Sequence, residues 1–404
     1  MLWLYNIGIQ LFGLIVRIFS LFNKKALLFI KGRTNIFEKI QTSLDSKKKY
    51  IWFHFASLGE FEQGRPVLEK IKQQYPTKSI VITFFSPSGY EVRKNYPLAD
   101  AVFYLPLDTA KNAKKLISAI NPELVIFTKY EFWYHYFKRL NSLEIPLFII
   151  SAIFRRDQVF FKWYGGLHRT ILSFVDFFFV QNEESKNLLS SLGLQNASVS
   201  GDTRFDRVAE NALAPNKIDL IEKFCKSSPV MIAGSTWMED EQLLKHLILP
   251  NPGWKFIIAP HEIDDKHIAE VQQMIPLATK YSTLGNQDQN SQVLIIDNIG
   301  LLSSIYQYGS IAYIGGGFGA GIHNTLEAAA FGLPVIFGPR YDKFQEAKDL
   351  IDLRAAISIK DQHELMEAFH RFSKDQTVGI ISKDYVSAKK GSTDQIVQYL
   401  SRYL

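Results

Sequence analysis

Residues 310–340 read SIAYIGGGFGAGIHNTLEAAAFGLPVIFGPR, and few folds accommodate such a stretch. Residues 311–314 form a short apolar strand, and Gly315, Gly316, Gly317, Gly319 and Gly321 follow at once. His323, Asn324 and Thr325 then open a helix from Leu326 to residue 331, which a Gly-Leu-Pro turn closes into a second strand at 335–337. Strand, glycine loop, helix and strand in that order belong to a parallel α/β sheet. Glycines let a backbone approach a ligand closely, and the amides and positive end of the helix suit an anion. Glu327 lies three residues after Asn324, on the same face of the first turn. A carboxylate there repels phosphate and suits a pair of sugar hydroxyls. The loop therefore fits a nucleotide, phosphate on the amides and ribose on the acid, although similar turns also serve as plain connections.

The same alternation fills the rest of the chain. Apolar strands are expected at 50–56, 79–85, 101–104, 124–127, 146–151 and 177–181, with helices between them. A polar helical stretch at 209–228 leads to a second series at 230–233, 255–259 and 293–296, which ends in the glycine stretch. Such alternation means parallel sheets covered on both faces, with ligands beyond the carboxyl ends of the strands. At 404 residues and 47% hydrophobic, the chain has material for two cores. The expected architecture is two doubly wound Rossmann-like domains facing a cleft, with no internal repeat and one polar loop at 285–292. A single cysteine, Cys225, excludes an internal disulfide and a cysteine-based metal cluster. The net charge of +6 calls for an anionic partner. The lysines are dispersed rather than interleaved with aromatics on one face, which argues against nucleic acid.

Residues 1–22 are mostly apolar, interrupted by Asn6, Gln10 and Arg17, and are followed by Lys24, Lys25, Lys31 and Arg33. The charge follows the apolar run and no small-residue cleavage site ends it, unlike a secretory leader. Trp3 and Tyr5 at one end and lysines at the other suit a membrane interface. Length permits a span, and Arg17 in mid-segment equally suits a helix lying in the interface.

Three positions carry a double meaning. Glu60 follows the first strand, where a general base over a cleft would sit, and S-x-x-E from Ser57 to Glu60 is also the signature of a capping box. Glu131 follows the strand at 124–127 and is either a site group or a helix cap. Ser235 and Thr236 precede Glu239, Asp240 and Glu241, and their hydroxyls suit a phosphate or a cap. Arg155, Arg156, Arg204 and Arg207 follow strand ends, where cations suit phosphate. His261 stands alone at a strand end. No HExxH or paired-cysteine pattern points to a metal, and neither a G-x-S-x-G elbow nor a Walker lysine occurs.

Four motifs in this order resemble the 3-deoxy-D-manno-octulosonic acid (Kdo) transferases of lipopolysaccharide synthesis. They are His54-x-x-Ser57-x-Gly59-Glu60, Ser86-Pro87-Ser88-Gly89-Tyr90-Glu91, Gly234-Ser235-Thr236, and Gly315-Gly316 through His323-Asn324-x-Leu326-Glu327 to Gly338-Pro339. The resemblance implies a glycosyltransferase B fold, with residues 1–33 as a membrane-associated helix and basic flank. Residues 34–208 would then bind the acceptor and 209–404 the nucleotide sugar. It implies inverting transfer of Kdo from CMP-Kdo to the lipid A precursor (lipid IVA), at the cytoplasmic face of the inner membrane, with no cofactor and no metal. Glu60 would be the base, and Glu131 and Arg204 would stabilise the transition state. CMP would lie across Pro260 and His261, across Ile299, Gly300 and Leu301, and across Gly316, Asn324, Thr325, Leu326 and Glu327, with Ser235 and Thr236 near its phosphate.

This chain departs from the family pattern in places. Arg204 stands where the family usually has lysine, no arginine precedes His261, Trp237 replaces a histidine, and Trp133-Tyr134-His135 stands for Trp-Pro-Asn. Two other readings fit the same residues: a lipid-directed transferase of this fold that uses a UDP-sugar, and a membrane-attached protein that binds a nucleotide or phospholipid without turnover.

Overall fold

The structure is a computed structural model that describes residues 1–286, 291–375 and 377–404, so the expected polar loop at 285–292 lies partly outside the described residues. The chain divides into two compact units, one of residues 1–206 with 390–404 and one of residues 207–389.

Three helices, α1 (Leu2–Phe19), α2 (Lys24–Arg33) and α3 (Ile36–Ser43), precede the first sheet. By length and composition α1 is able to cross a membrane, and none of its residues is buried. The strands of this unit are β1 (Tyr50–Phe55), β2 (Ser79–Phe84), β3 (Ala101–Tyr104), β4 (Pro122–Thr128), β5 (Leu147–Ala152), β6 (Phe177–Val180) and β7 (Ala197–Val199). They pair in parallel in the order β3-β2-β1-β4-β5-β6-β7. All six residues of β1 and of β5 are buried, as expected of strands covered on both faces. The strand order reverses between β1 and β4, and ligands bind beyond the carboxyl ends of strands at such a reversal. Helix α4 (Leu58–Gln74) follows β1 directly.

The second unit repeats the plan with β8 (Val230–Thr236), β9 (Lys255–Pro260), β10 (Thr279–Lys280), β11 (Val293–Ile295), β12 (Ile311–Ile314), β13 (Val335–Phe337) and β14 (Ala356–Ser358). Their parallel order is β10-β11-β9-β8-β12-β13-β14, with the reversal between β8 and β12. Two doubly wound sheets and an apolar N-terminal helix are the expected fold class.

One boundary needs correction. The second domain was expected to run to residue 404, yet residues 390–404 belong to the first unit. Ile396, Val397 and Leu400 of the helix Ser392–Leu400 are buried in the core with Phe148 and Phe179. Each such burial stabilises by roughly 1.5–3 kcal/mol. The buried Asp206 carboxylate fixes the start of that helix, accepting from Gly391 N at 2.5 Å, Thr393 N at 2.6 Å and Thr393 Oγ1 at 2.7 Å.

Candidate functional site

In the first unit the candidate groups gather where β1 and β4 end. Ser57 precedes α4 in extended conformation, and its side chain accepts nothing from the helix backbone. Its hydroxyl instead donates to Glu60 Oε2, so the Ser57-to-Glu60 spacing is no capping box here. Glu60 sits in the first helical turn, half-buried, as an acceptor for an alcohol.

Glu131 is likewise no cap. The first amides of the helix Tyr134–Ser142 are taken by Asp108, which accepts from His135 N at 2.9 Å and Tyr136 N at 3.0 Å. Glu131 Oε2 accepts from Trp133 Nε1 at 2.9 Å and lies 3.2 Å from His54 Nε2. Hydrogen-bond satisfaction assigns the histidine tautomer. The Trp52 indole only donates, 2.8 Å to Thr83 Oγ1, and Thr83 lies 2.8 Å from His54 Nδ1. Thr83 gives its proton to Nδ1, which leaves Nε2–H to donate to Glu131. Trp52, Thr83 and His54 are all fully buried, so the core holds this carboxylate in place.

Arg204 is fixed by Asp202, which accepts from its backbone N and from Nε at 2.9 Å each and from Nη2 at 2.8 Å, while Gln63 Nε2 donates to the same carboxylate at 3.3 Å. Burial pushes the Asp202 carboxyl up, but the Arg204 guanidinium outweighs it and the pKa falls below the usual range. Tyr130 marks where these charges converge. Burial raises its pKa first, Arg155 and Arg204 lower it, and Glu60 and Asp202 raise it further. Glu60, Arg204 and Arg155 are thus within electrostatic reach of one hydroxyl, with Glu131 next along the chain.

The second unit builds its candidate site from backbone. β8 bulges at Ser235, which takes the left-handed φ of 55°, and Gly315 packs against the bulge. A Cβ at Gly315 would fall 2.6 Å from Thr236 Cα and closer still to the Ser235 carbonyl oxygen. Gly316, with φ 89°, donates its amide to Asp240 Oδ2 at 2.9 Å. Asp240 also accepts from Trp237 N at 2.9 Å and from Tyr313 Oη at 2.7 Å. The Gly316 amide therefore holds the loop's shape. The buried Thr236 hydroxyl donates to Glu241 at 2.8 Å, with His267 Nε2 3.1 Å from the same oxygen, and Ser235 is half-buried.

Pro260 ends β9 buried, and His261 stands outside it in a stack of rings. The Trp237 and His261 centroids lie 4.8 Å apart, His261 and His323 4.4 Å, and Trp237 Nε1 donates to His323 Nε2 at 3.2 Å. Burial pushes the His323 pKa down to about 4, with His261 adding in the same direction. Asn324 Oδ1 accepts from Leu326 N at 3.1 Å, and its Nδ2 donates to Glu327 Oε1 at 3.0 Å. The helix that follows, Leu326–Ala330, is shorter than the sequence implied, with Leu326 buried. Thr325 is fully buried and its Oγ1 has no protein partner. A Cβ on Gly234 would run into the buried Tyr306 hydroxyl, and burial followed by the charge of Glu327 raises the Tyr306 pKa. Ile299 and Gly300 stand exposed on the preceding loop, and Leu301 is half-buried beside Leu302, which itself approaches Gly234.

Trp237, Asp240 and Tyr306 in this unit, and Tyr130 and Asp202 in the other, were not expected as site residues, whereas His54 and His323 stood in the quoted motifs without a stated role. Neighbours in chain order signal His54, Tyr130, Trp237 and His323; the Asp202 and Asp240 contacts are set by the fold. Among the described residues no group of three or more His, Cys, Asp or Glu side chains is arranged to hold a metal ion.

Residues 31–207 match the family model of 3-deoxy-D-manno-octulosonic-acid transferase (kdotransferase). The 3-deoxy-D-manno-octulosonic acid transferase of Haemophilus influenzae is 27% identical over 379 residues, 88% of this chain and 87% of that protein. That of Aquifex aeolicus is 26% identical over 332 residues, covering 80% and 86%. Among solved structures, a UDP-GlcNAc 2-epimerase from Neisseria meningitidis shares the fold, with a TM-score of 0.62 at 16% identity over 87% of this chain and 100% of that one. Residues 31–207, which include the β1/β4 reversal, thus match the 3-deoxy-D-manno-octulosonic-acid transferase model, and with relatives of that name similar over most of its length the chain is a glycosyltransferase that resembles them.

Proposed function

We propose that the chain transfers Kdo from CMP-Kdo to the lipid A precursor (lipid IVA) with inversion, releasing CMP, in lipopolysaccharide synthesis at the cytoplasmic face of the inner membrane. The observation that carries this reading is Glu60, released from helix capping and already accepting an alcohol proton from Ser57. An acceptor hydroxyl taking the place of Ser57 would lose its proton to Glu60 as its oxygen attacks the anomeric carbon. The bond from that carbon to the CMP phosphate oxygen breaks, and CMP leaves with the electron pair. A positioned base of this kind contributes about 10²–10⁴-fold to rate. Glu131, held by His54 and Trp133, and Arg204, held by Asp202, are fixed charges that need no rearrangement as charge develops.

On the donor side, Glu327 and Asn324 suit the ribose hydroxyls, and the orphan Thr325 hydroxyl and Ser235 suit the phosphate. The stack of Trp237, His261 and His323 offers ring surface for a base. No metal or other cofactor enters this mechanism. Apolar α1 and the net charge of +6 suit an acylated, phosphorylated acceptor at a membrane.

The test is CMP release from CMP-Kdo with and without lipid IVA, in the parent and in Glu60→Ala, with and without a chelator. Acceptor-dependent release that collapses in a folded, CMP-binding mutant and ignores the chelator is the expected result. Release that needs no acceptor, or protection against unfolding by UDP and not CMP, would overturn it.

A further inference from the structure

Helix α1 is tied to its own unit along its length. In its first turns the Tyr5 hydroxyl donates to Asp108 Oδ2 at 2.5 Å, and Asn6 Oδ1 lies 2.7 Å from His135 Nε2. In its middle Phe12 packs on Phe29 and Phe85 at 5.9 and 6.0 Å, and a Cβ on Gly13 would meet Leu107 at 2.7 Å. Leu2, Tyr5, Asn6, Ile9, Gly13 and Val16, at three- and four-residue intervals, are half-buried. The opposite face carries Leu4, Leu11 and Ile18, each more than half exposed.

A helix of 18 residues is about 27 Å long, close to the thickness of a bilayer core. Were α1 to cross, Tyr5 and Asn6 would lie on the far side from Lys24 and Lys25. Yet Asp108 holds Tyr5 with the same carboxylate that holds the amides of His135 and Tyr136 in the body of the unit. Both ends of α1 therefore stand on one side. The docked loop after β5 adds to the exposed face, since a Cβ at Gly166 would lie 3.2 Å from the Met1 side chain. On that loop Trp163 is 90% exposed, beside exposed Tyr164. Exposed Lys24, Lys25 and Lys31 follow at the other end. Exposed aromatics and leucines flanked by lysines match an anionic lipid surface in its interfacial layer.

We infer that α1 does not span but lies in the plane of an anionic membrane surface, with Leu4, Leu11 and Ile18 in the lipid and the Trp163 loop as a second anchor. The inference rests on the membrane location proposed above and not on the reaction.

The test uses the full chain in a Cys225→Ala background, Cys225 being the one native thiol. A fluorophore is placed on Leu4→Cys, Leu11→Cys or Ile18→Cys, and the protein is mixed with phosphatidylethanolamine–phosphatidylglycerol vesicles brominated at set depths. Equal quenching at all three sites, strongest from shallow bromines, is expected. Quenching that is deepest at Leu11 would mean a span and overturn the inference, as would no quenching at any site. Trp163→Ala, outside the α1 sequence and the reaction machinery, should weaken vesicle binding roughly tenfold. Unchanged binding would remove the second anchor. Kdo transfer to detergent-dispersed lipid IVA, measured on the same proteins, should be unaffected by Trp163→Ala. Absence of transfer in the parent would sink the reaction while leaving the quenching result standing.

Discussion

The two candidate sites are made of different material. At the β1/β4 reversal the candidate groups are side chains, and two of them are held by buried partners: Glu131 by His54, Arg204 by Asp202. At the β8/β12 reversal the shape comes from backbone, with Gly315 pressed on the Ser235 bulge and the Gly316 amide tied to Asp240. The first arrangement loses chemistry when an atom is removed. The second loses its form when an atom is added.

Substitutions separate the two. Glu60→Gln keeps the shape and removes the base, so kcat should fall about 10²–10⁴-fold with CMP affinity unchanged; parallel losses of both would erase the distinction. Gly315→Ala does the reverse. The added methyl group has to displace Ser235 or Thr236, at a stability cost of about 1–3 kcal/mol, and CMP binding measured by calorimetry should weaken before any effect on chemistry is seen.

A smaller change sharpens the first site. His54→Ala leaves Glu131 with one donor fewer and Thr83 without an acceptor, a cost of about 1–3 kcal/mol in denaturant unfolding. His54→Asn should restore part of kcat, because an amide N–H also donates to a carboxylate; no difference between the two variants would reduce His54 to core filling.

The smallest effect is a pH dependence in the second site. The pKa of His323 lies near 4 in the folded chain and near 6.5 ordinarily. The unfolded chain therefore takes up this proton first, and stability falls as pH drops from 6.5 to 4. After solvent screening the effect is about 1–2 kcal/mol. His323→Gln should flatten that part of the melting-temperature profile. His135 and His168 shift in the same direction, burial again the leading cause, so the difference between variant and parent carries the result.

Much of the fold was legible in the sequence, because the central strands are continuous apolar runs buried on both faces. The edge strands β7, β10 and β14 were not, since two or three residues make no pattern. The candidate residues were legible in chain order, yet their freedom to act was not. That Glu60 and Glu131 are not helix caps rests on Ser57 donating its hydroxyl and on Asp108, which supplies the caps from 27 residues away. No local pattern announces such a contact. Nor does anything in residues 390–404 tell a reader which core they complete.

That last segment bears on how the molecule is made. The second unit, residues 207–389, is one continuous stretch, whereas the first lacks Ile396, Val397 and Leu400 until residues 390–404 are translated. On the ribosome, where domains fold as they emerge, the first sheet waits with part of one face uncovered while the second is completed. A released chain truncated after residue 389 should therefore hold a protease-resistant second unit and a first unit that is still open to cleavage.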